Sequence, residues 1–378
     1  MNRKVQNFLW YFIPVGIVIS KWLRGPSTYN NFLIYKNVFW HTLHQKNLYL
    51  FYPTEYFDHN LYGPLFALII APFALLPDVF GLIAWILVSM FVLQKGLSFF
   101  WGEKPPLLLF FLVLIEATTA CHNTQFNIMM AGGLLWSFGL IKKGNDWAST
   151  LIIVILILTK IYGVVGLILV FFTHKPWKFV YATAIWTIVL LILPSVISSP
   201  QFVFQSYVDW YNTIVHKNDL NQLSHMSNGM QDISAMGLIK RISGNFDLSN
   251  SWFLIPAMLL TLLPLSRYKQ LKNSVFQLDY FAQVMIGLVI FSSSSESSTY
   301  IIAIAGMAVW LFNKYTQKPY VWLIVFVGIL TVLSPTDLFP PSVRKDVFVK
   351  YALKALPCLA TWLLITYQLL VKKYDNES

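Results

Sequence analysis

Ten stretches of this chain stay apolar for close to the length a bilayer-crossing helix needs, and that limits the fold more than any other feature. They run over 5–23, 79–96, 104–120, 125–141, 177–197, 251–266, 275–292, 297–313, 319–334 and 350–371. A span takes about 17–25 predominantly apolar residues, and fewer where neighbouring helices shield it. In lipid the backbone must satisfy its own polar groups, so such runs fold as helices. Composition agrees: 57% of the 378 residues are apolar and 11% charged, against about 25% charged in soluble domains. An ordinary soluble enzyme, a disordered regulator and a coiled coil are excluded. The expected class is an all-α integral membrane protein, one polytopic domain over 1–378.

Two further stretches are ambiguous. Residues 62–77 are apolar but carry Pro64, Pro72 and Pro77, and 147–173 is interrupted by Lys160-Ile161-Tyr162-Gly163. Charge placement arbitrates. If 62–77 dips without crossing and 147–173 forms two short helices meeting at Lys160, 15 basic and 5 acidic residues share one side. The other side then takes 27 − 15 = 12 basic and 16 − 5 = 11 acidic residues. That asymmetry is the positive-inside pattern, so the formal charge of +11 implies a membrane partner rather than nucleic acid. About twelve spans follow, with both termini cytoplasmic in a plasma (inner) membrane. Lys143, Lys175 and Lys318 fall in the cytoplasm; Asn47, Ser224 and Ser342 fall outside. The start, Met1-Asn2-Arg3-Lys4 before an apolar run that ends Lys21-Trp22-Leu23-Arg24, reads as a retained first span. Outer segments are 24–61, 198–250 and 335–349. In the first, Phe32, Tyr35, Phe39 and Leu43 recur at helical spacing, with Lys36, His41 and His44 elsewhere on the surface.

Charged groups inside spans are costly and therefore mark sites. Glu116 lies near the outer end of its span, Lys160 at the tip of its hairpin, and Glu296 after four serines. The turn His122-Asn123-Thr124-Gln125-Phe126-Asn127 is dense in donors and acceptors. On this route all four features face outward, which points to one shared cavity. Each also has a plainer role: a helix cap, a snorkelling lysine, a charge at a helix N-terminus. Gly-rich phosphate loops, His-Glu-x-x-His, Gly-x-Ser-x-Gly and paired cysteines are absent from the sequence. His41 and His44 lack a third placed ligand, and Cys121 and Cys358 stand far apart in apolar contexts. The sequence therefore calls for no metal and no cofactor.

The first third carries a family pattern. In order come Asn31-Phe32-Leu33-Ile34-Tyr35-Lys36, Asn47-Leu48-Tyr49, Tyr52-Pro53-Thr54-Glu55-Tyr56-Phe57-Asp58, Tyr62-Gly63-Pro64-Leu65-Phe66 and Pro72-Phe73-Ala74-Leu75-Leu76-Pro77. This resembles glycosyltransferase family 87 of the GT-C superfamily. Gln125-Phe126-Asn127 is similar to the family's Gly-Gln-x-Asn element, and Lys160 to a lysine at the next hairpin. The resemblance implies a GT-C-like helical bundle with outer juxtamembrane helices. It implies inverting transfer of a hexose from a polyprenyl-phosphate donor to an envelope glycan or glycolipid on the outer face. A carboxylate of the first outer loop would take the acceptor proton, and a cation would stabilise the departing lipid phosphate. Tyr35, Lys36, Tyr62, Gln125, Asn127 and Lys160 then read as substrate-binding residues. One position departs: the family's catalytic Asp before Phe-x-x-Tyr is Asn31 here. Asp58 is favoured in its place, with Glu55, Glu116 and Glu296 as other carboxylates. Alternatives from other classes are a lipid or solute translocator and a catalytically inactive binding subunit. A translocator is disfavoured by the one-sided polar groups and the lack of an internal repeat.

Overall fold

The computed structural model describes residues 1–102, 105–223 and 232–374. Glu103, Lys104, Ser224, Asp375 and Glu377, which enter the charge and topology arguments, lie outside the described residues. Among the described residues the structure is helical, with no strand. The chain divides into two compact units, one of residues 1–99 and 118–217, the other of 100–117 and 218–378.

The first unit begins with α1 (Arg3–Leu23), whose Asn2 side chain accepts from the Lys4 amide at 2.9 Å. Gln6, Trp10, Pro14 and Val18 form its buried stripe, every fourth residue, while Phe8 and Phe12 are exposed. One stripe thus faces protein and the rest is apolar and uncovered. Helix α2 (Asn30–Leu43) packs on α3 (Phe66–Ala74), and α4 (Asp78–Trp101) holds α1 through the Trp10 indole donating to Met90 O at 3.0 Å. At nine residues, α3 is about 13 Å long, well short of an apolar layer about 30 Å thick. Helix α5 (Leu107–His122), whose residues 107–117 belong to the second unit, leads into α6 (Asn127–Lys142), which is buried almost all round. A Cβ on Gly132 would lie 2.5 Å from the Leu93 backbone, so α6 meets α4 backbone to backbone, the small-residue packing of helices in lipid.

Asn145 caps α7 (Asp146–Thr159), which stops at Lys160; a 3₁₀ stretch, Ile161–Phe171, continues from there. Lys160 is extended (φ −147°, ψ 124°), which is the break between the two pieces. Then follow α8 (Pro176–Ile192) and α9 (Pro200–Leu223), the latter a long helix within the 198–250 segment. On α8 only Phe179, Ala182 and Leu190 are buried, leaving Trp177, Ile188 and Ile192 bare.

The second unit contains α10 (Ala235–Ser243), α11 (Ser251–Leu262), α12 (Ser274–Ile290), α13 (Ile301–Leu311), α14 (Lys318–Val327), the single turn α15 (Pro341–Val343) and α16 (Ala355–Val371). Helix α12 is central, packed on α13 and α16, and α13 is buried along its whole length. On α11 only Ala257 is buried. Among the described residues two helices, Asp78–Trp101 and Pro176–Val196 with its 3₁₀ end, are long and apolar enough alone to cross a membrane, and eight shorter apolar helices accompany them. Bare apolar faces of this extent do not persist against water. The chain is a membrane protein.

Candidate active site

In the first unit the geometry starts from Gly63. Its amide donates to Thr159 O at 3.0 Å, and a Cβ there would lie 2.1 Å from Leu158 O and 3.0 Å from the Trp210 ring. Only a residue without a side chain lets the Tyr62-Gly63-Pro64 turn lie directly on the end of α7. The turn is then fixed on every side. Trp210 Nε1 donates to Leu61 O at 3.0 Å, Tyr49 Oη to Tyr62 O at 3.0 Å, and the Tyr62 amide to Asn60 Oδ1 at 3.0 Å.

This close approach brings together residues that are far apart in sequence. Lys160 Nζ donates to Asn127 Oδ1 at 2.9 Å, and Asn127 Nδ2 donates to Gln125 Oε1 at 2.5 Å. The ammonium lies 4.7 Å from the Tyr162 ring centroid and 6.0 Å from that of Tyr62. Tyr62 and Tyr35 share a hydroxyl–hydroxyl hydrogen bond of 2.8 Å. A cation at a helix break, lined by amide groups and aromatic faces, has the chemistry to hold an anionic oxygen next to a polyhydroxylated ring.

The other first-unit candidates sit on α2 and its loop. Lys36 Nζ bonds Asp78 Oδ1 at 2.6 Å, tying α2 to the start of α4. Asn31 Nδ2 donates to Asn123 O at 2.7 Å, in the turn that carries Gln125, while Asn30 Oδ1 accepts from the Phe57 amide at 2.9 Å. The start of α2 therefore holds both the 122–127 turn and the segment bearing Asp58. Asp58 itself is exposed, and one of its oxygens accepts from the His59 amide at 2.7 Å.

His41 corrects a sequence expectation. It is not a surface residue but is 2% exposed, with Nε2 2.7 Å from Glu55 Oε2 and its ring against Tyr52 and Tyr56. The loop after α2 folds back over this helix, which periodicity within α2 cannot reveal. Burial pulls the His41 pKa below its ordinary value despite the Glu55 carboxylate, which acts in the opposite direction. His44 turns elsewhere, to Trp40 O at 2.8 Å.

Sequence reasoning missed Asp209, whose two oxygens accept from Asn47 Nδ2 at 2.9 Å and Gln205 Nε2 at 2.8 Å. It precedes Trp210 on α9, and no sequence pattern singles it out.

The second unit holds the remaining two carboxylates, on separate elements. Glu116 is fully buried, and both its oxygens accept from Lys354 Nζ, at 2.8 and 3.0 Å. The Lys354 ammonium also faces the Tyr300 ring at 5.0 Å. Lys354 was legible by the rule that flagged Glu116, since it too lies in an apolar run. Glu296 closes a reciprocal cap with Thr299 at the entrance to α13.

The model of glycosyltransferase family 87 matches residues 60–336. The fold is similar to the crystal structure of ArnT from Cupriavidus metallidurans in the apo state, with a TM-score of 0.45 and 12% identity over 96% of this chain and 77% of that one. No curated protein matches.

Proposed function

The chain belongs to glycosyltransferase family 87, and from that premise we propose that it moves a hexose from a polyprenyl-phosphate donor to an envelope glycan or glycolipid. Membership makes it a membrane glycosyltransferase; donor, acceptor and side are this proposal's own. The GT-C-like bundle of about twelve spans, the inner-membrane location and the outer-face reaction belong to the same reading.

The observation that carries it is the Lys160–Asn127–Gln125 chain beside Tyr62 and Tyr35. Lys160 would neutralise charge on the lipid phosphate as the bond from its oxygen to the anomeric carbon breaks. Gln125, Asn127 and Tyr35 would orient the sugar, and Lys36 would hold α2 in place through Asp78. The acceptor hydroxyl attacks the anomeric carbon from the opposite side, which inverts it, and its proton passes to a carboxylate. Asp58 is the base of choice: among the described residues only the neighbouring His59 amide bonds it, whereas Lys354 holds both oxygens of Glu116 and Glu296 is engaged in a cap.

One observation favours a second reading, an inactive family member that binds without transferring. Asn31 spends its amide on Asn123 O, so this chain has built a structural role where the family places its catalytic Asp. Turnover of a labelled polyprenyl-phosphate hexose by wild type and Asp58→Asn separates the two. Transfer that falls about 10²–10⁴-fold in the variant supports the base assignment; a wild type that binds donor without cleaving it supports the inactive member.

A further inference from the structure

At one end of the second unit three helix termini change from bare apolar surface to bare lysine within a few residues. Leu262 and Leu263 at the end of α11 are exposed and are followed by exposed Tyr268, Lys269 and Lys272. Exposed Tyr367 and Val371 on α16 run into Lys372 and Lys373. Lys318 opens α14, and Trp322, four residues on and on the same face, is 73% exposed.

These termini are joined to one another. The Arg267 guanidinium donates to Leu369 O and to Lys372 O at the end of α16. Tyr374 Oη donates to Asp279 Oδ2 at 3.0 Å, and Lys314 Nζ donates to Asp279 Oδ1 at 3.0 Å. Gln368 Nε2 donates to the Tyr320 hydroxyl at 3.0 Å, which brings α14 to α16. Asp279 is the sole carboxylate of this edge among the described residues, and it is fully buried and already satisfied. Lys269, Lys272, Lys318, Lys372 and Lys373 are exposed, and none forms an ion pair among the described residues.

We propose that this edge is a binding site for the phosphate headgroups of anionic glycerophospholipids. The order of the surface selects this ligand over an acidic protein. Apolar side chains, then aromatic ones, then lysines repeat the order of acyl chain, interface and headgroup. The lysine stems cover apolar surface while their ammonium groups reach the phosphate plane. The proposal rests on the membrane reading and not on glycosyl transfer, so either can fail without the other.

The test uses the full chain reconstituted in phosphatidylcholine vesicles containing trace spin-labelled phosphatidylglycerol or spin-labelled phosphatidylcholine, read as relative association with the protein. Wild type should prefer phosphatidylglycerol, and the preference should fall as salt rises. Lys372→Gln should weaken it about fivefold, and Lys269→Gln with Lys272→Gln and Lys373→Gln further. A thermal melt keeps loss of fold apart from loss of site, and these lysines make no carboxylate contact whose removal would unfold the chain. Equal association of the two lipids with wild type overturns the proposal, and so does a preference unchanged in the multiple variant. Displacement of the labelled lipid by millimolar inorganic phosphate, where chloride at the same ionic strength leaves it bound, would make the site one for free anions, which also overturns it.

Discussion

Replacing Gly63 by alanine tests how the fold builds the site. The added Cβ would lie 2.1 Å from Leu158 O, where ordinary contact needs more than 3 Å, and the Trp210 ring closes the other side at 3.0 Å. Neither the Leu158 carbonyl nor the indole can withdraw alone, because Trp210 Nε1 is bonded to Leu61 O and Leu158 lies inside α7. The turn must move by about 1 Å. Overpacking of this kind costs about 1–3 kcal/mol, and the hydrogen bond from Gly63 N to Thr159 O, put at risk by the same shift, adds about 1 kcal/mol. A displacement of about 1 Å at Tyr62 and Lys160 is also enough to lower transfer roughly 10²-fold. Gly16 supplies the control: nothing lies within 4 Å of its added Cβ, and it sits inside α1. Gly16→Ala should leave stability unchanged or raise it by about 0.5–1 kcal/mol. Thermal melts of both variants in detergent, with donor turnover alongside, read the result. Wild-type melting and turnover in Gly63→Ala would refute the close-approach argument.

Three further outcomes follow from named contacts. Asn31→Asp should destabilise by about 0.5–1.5 kcal/mol, because an ionised carboxylate cannot donate to Asn123 O and faces its lone pairs instead; a melt at neutral pH that matches wild type would show that this bond is dispensable. Lys354→Met should cost about 3–5 kcal/mol by leaving Glu116 buried without a counter-charge, and adding Glu116→Gln should recover much of that loss; a double variant no better than the single one would mean the ion pair is not the reason. His41 has a folded pKa below its unfolded value, so the unfolded chain binds the extra proton first and stability falls as pH drops through about 6.5 toward the folded value. His41→Gln should flatten that slope in melts taken between pH 7.5 and 5.

Helix positions, the short α3 and the break at Lys160 were legible because they depend on local rules: apolar length, proline placement and a charge inside an apolar run. The neighbourhood of Lys160 with the 122–127 turn was expected from the route, which put their polar groups on one face, and the resemblance singled out Gln125 and Asn127 within it; no spacing by itself brings residues 33 apart into contact. What stayed hidden depends on chain return. His41 looks like a surface residue within its own helix and is buried only because the Tyr52–Tyr56 turn folds over it. Asp209 gains its partner Asn47 from 162 residues away. Lys354 was readable and overlooked: a charge in an apolar stretch asks for an opposite charge, and Glu116 was waiting for one. The long α9 lies in a segment of polar composition, which offers no apolar run to mark a helix.

The central claim is that Lys160 receives the phosphate of a lipid-linked sugar donor at the α7 break. Its most direct test follows a polyprenyl-phosphate hexose, labelled in the sugar, in vesicles carrying the purified chain and an envelope lipid extract as acceptor. The account predicts chain-dependent transfer of label to an acceptor lipid or glycan with release of polyprenyl phosphate. It also predicts that Lys160→Met, folded by its melt, weakens donor use roughly ten- to a hundredfold, the equivalent of about 1.5–3 kcal/mol for a charge-assisted contact. Intact donor in the presence of wild type, or undiminished donor use by Lys160→Met, would contradict it.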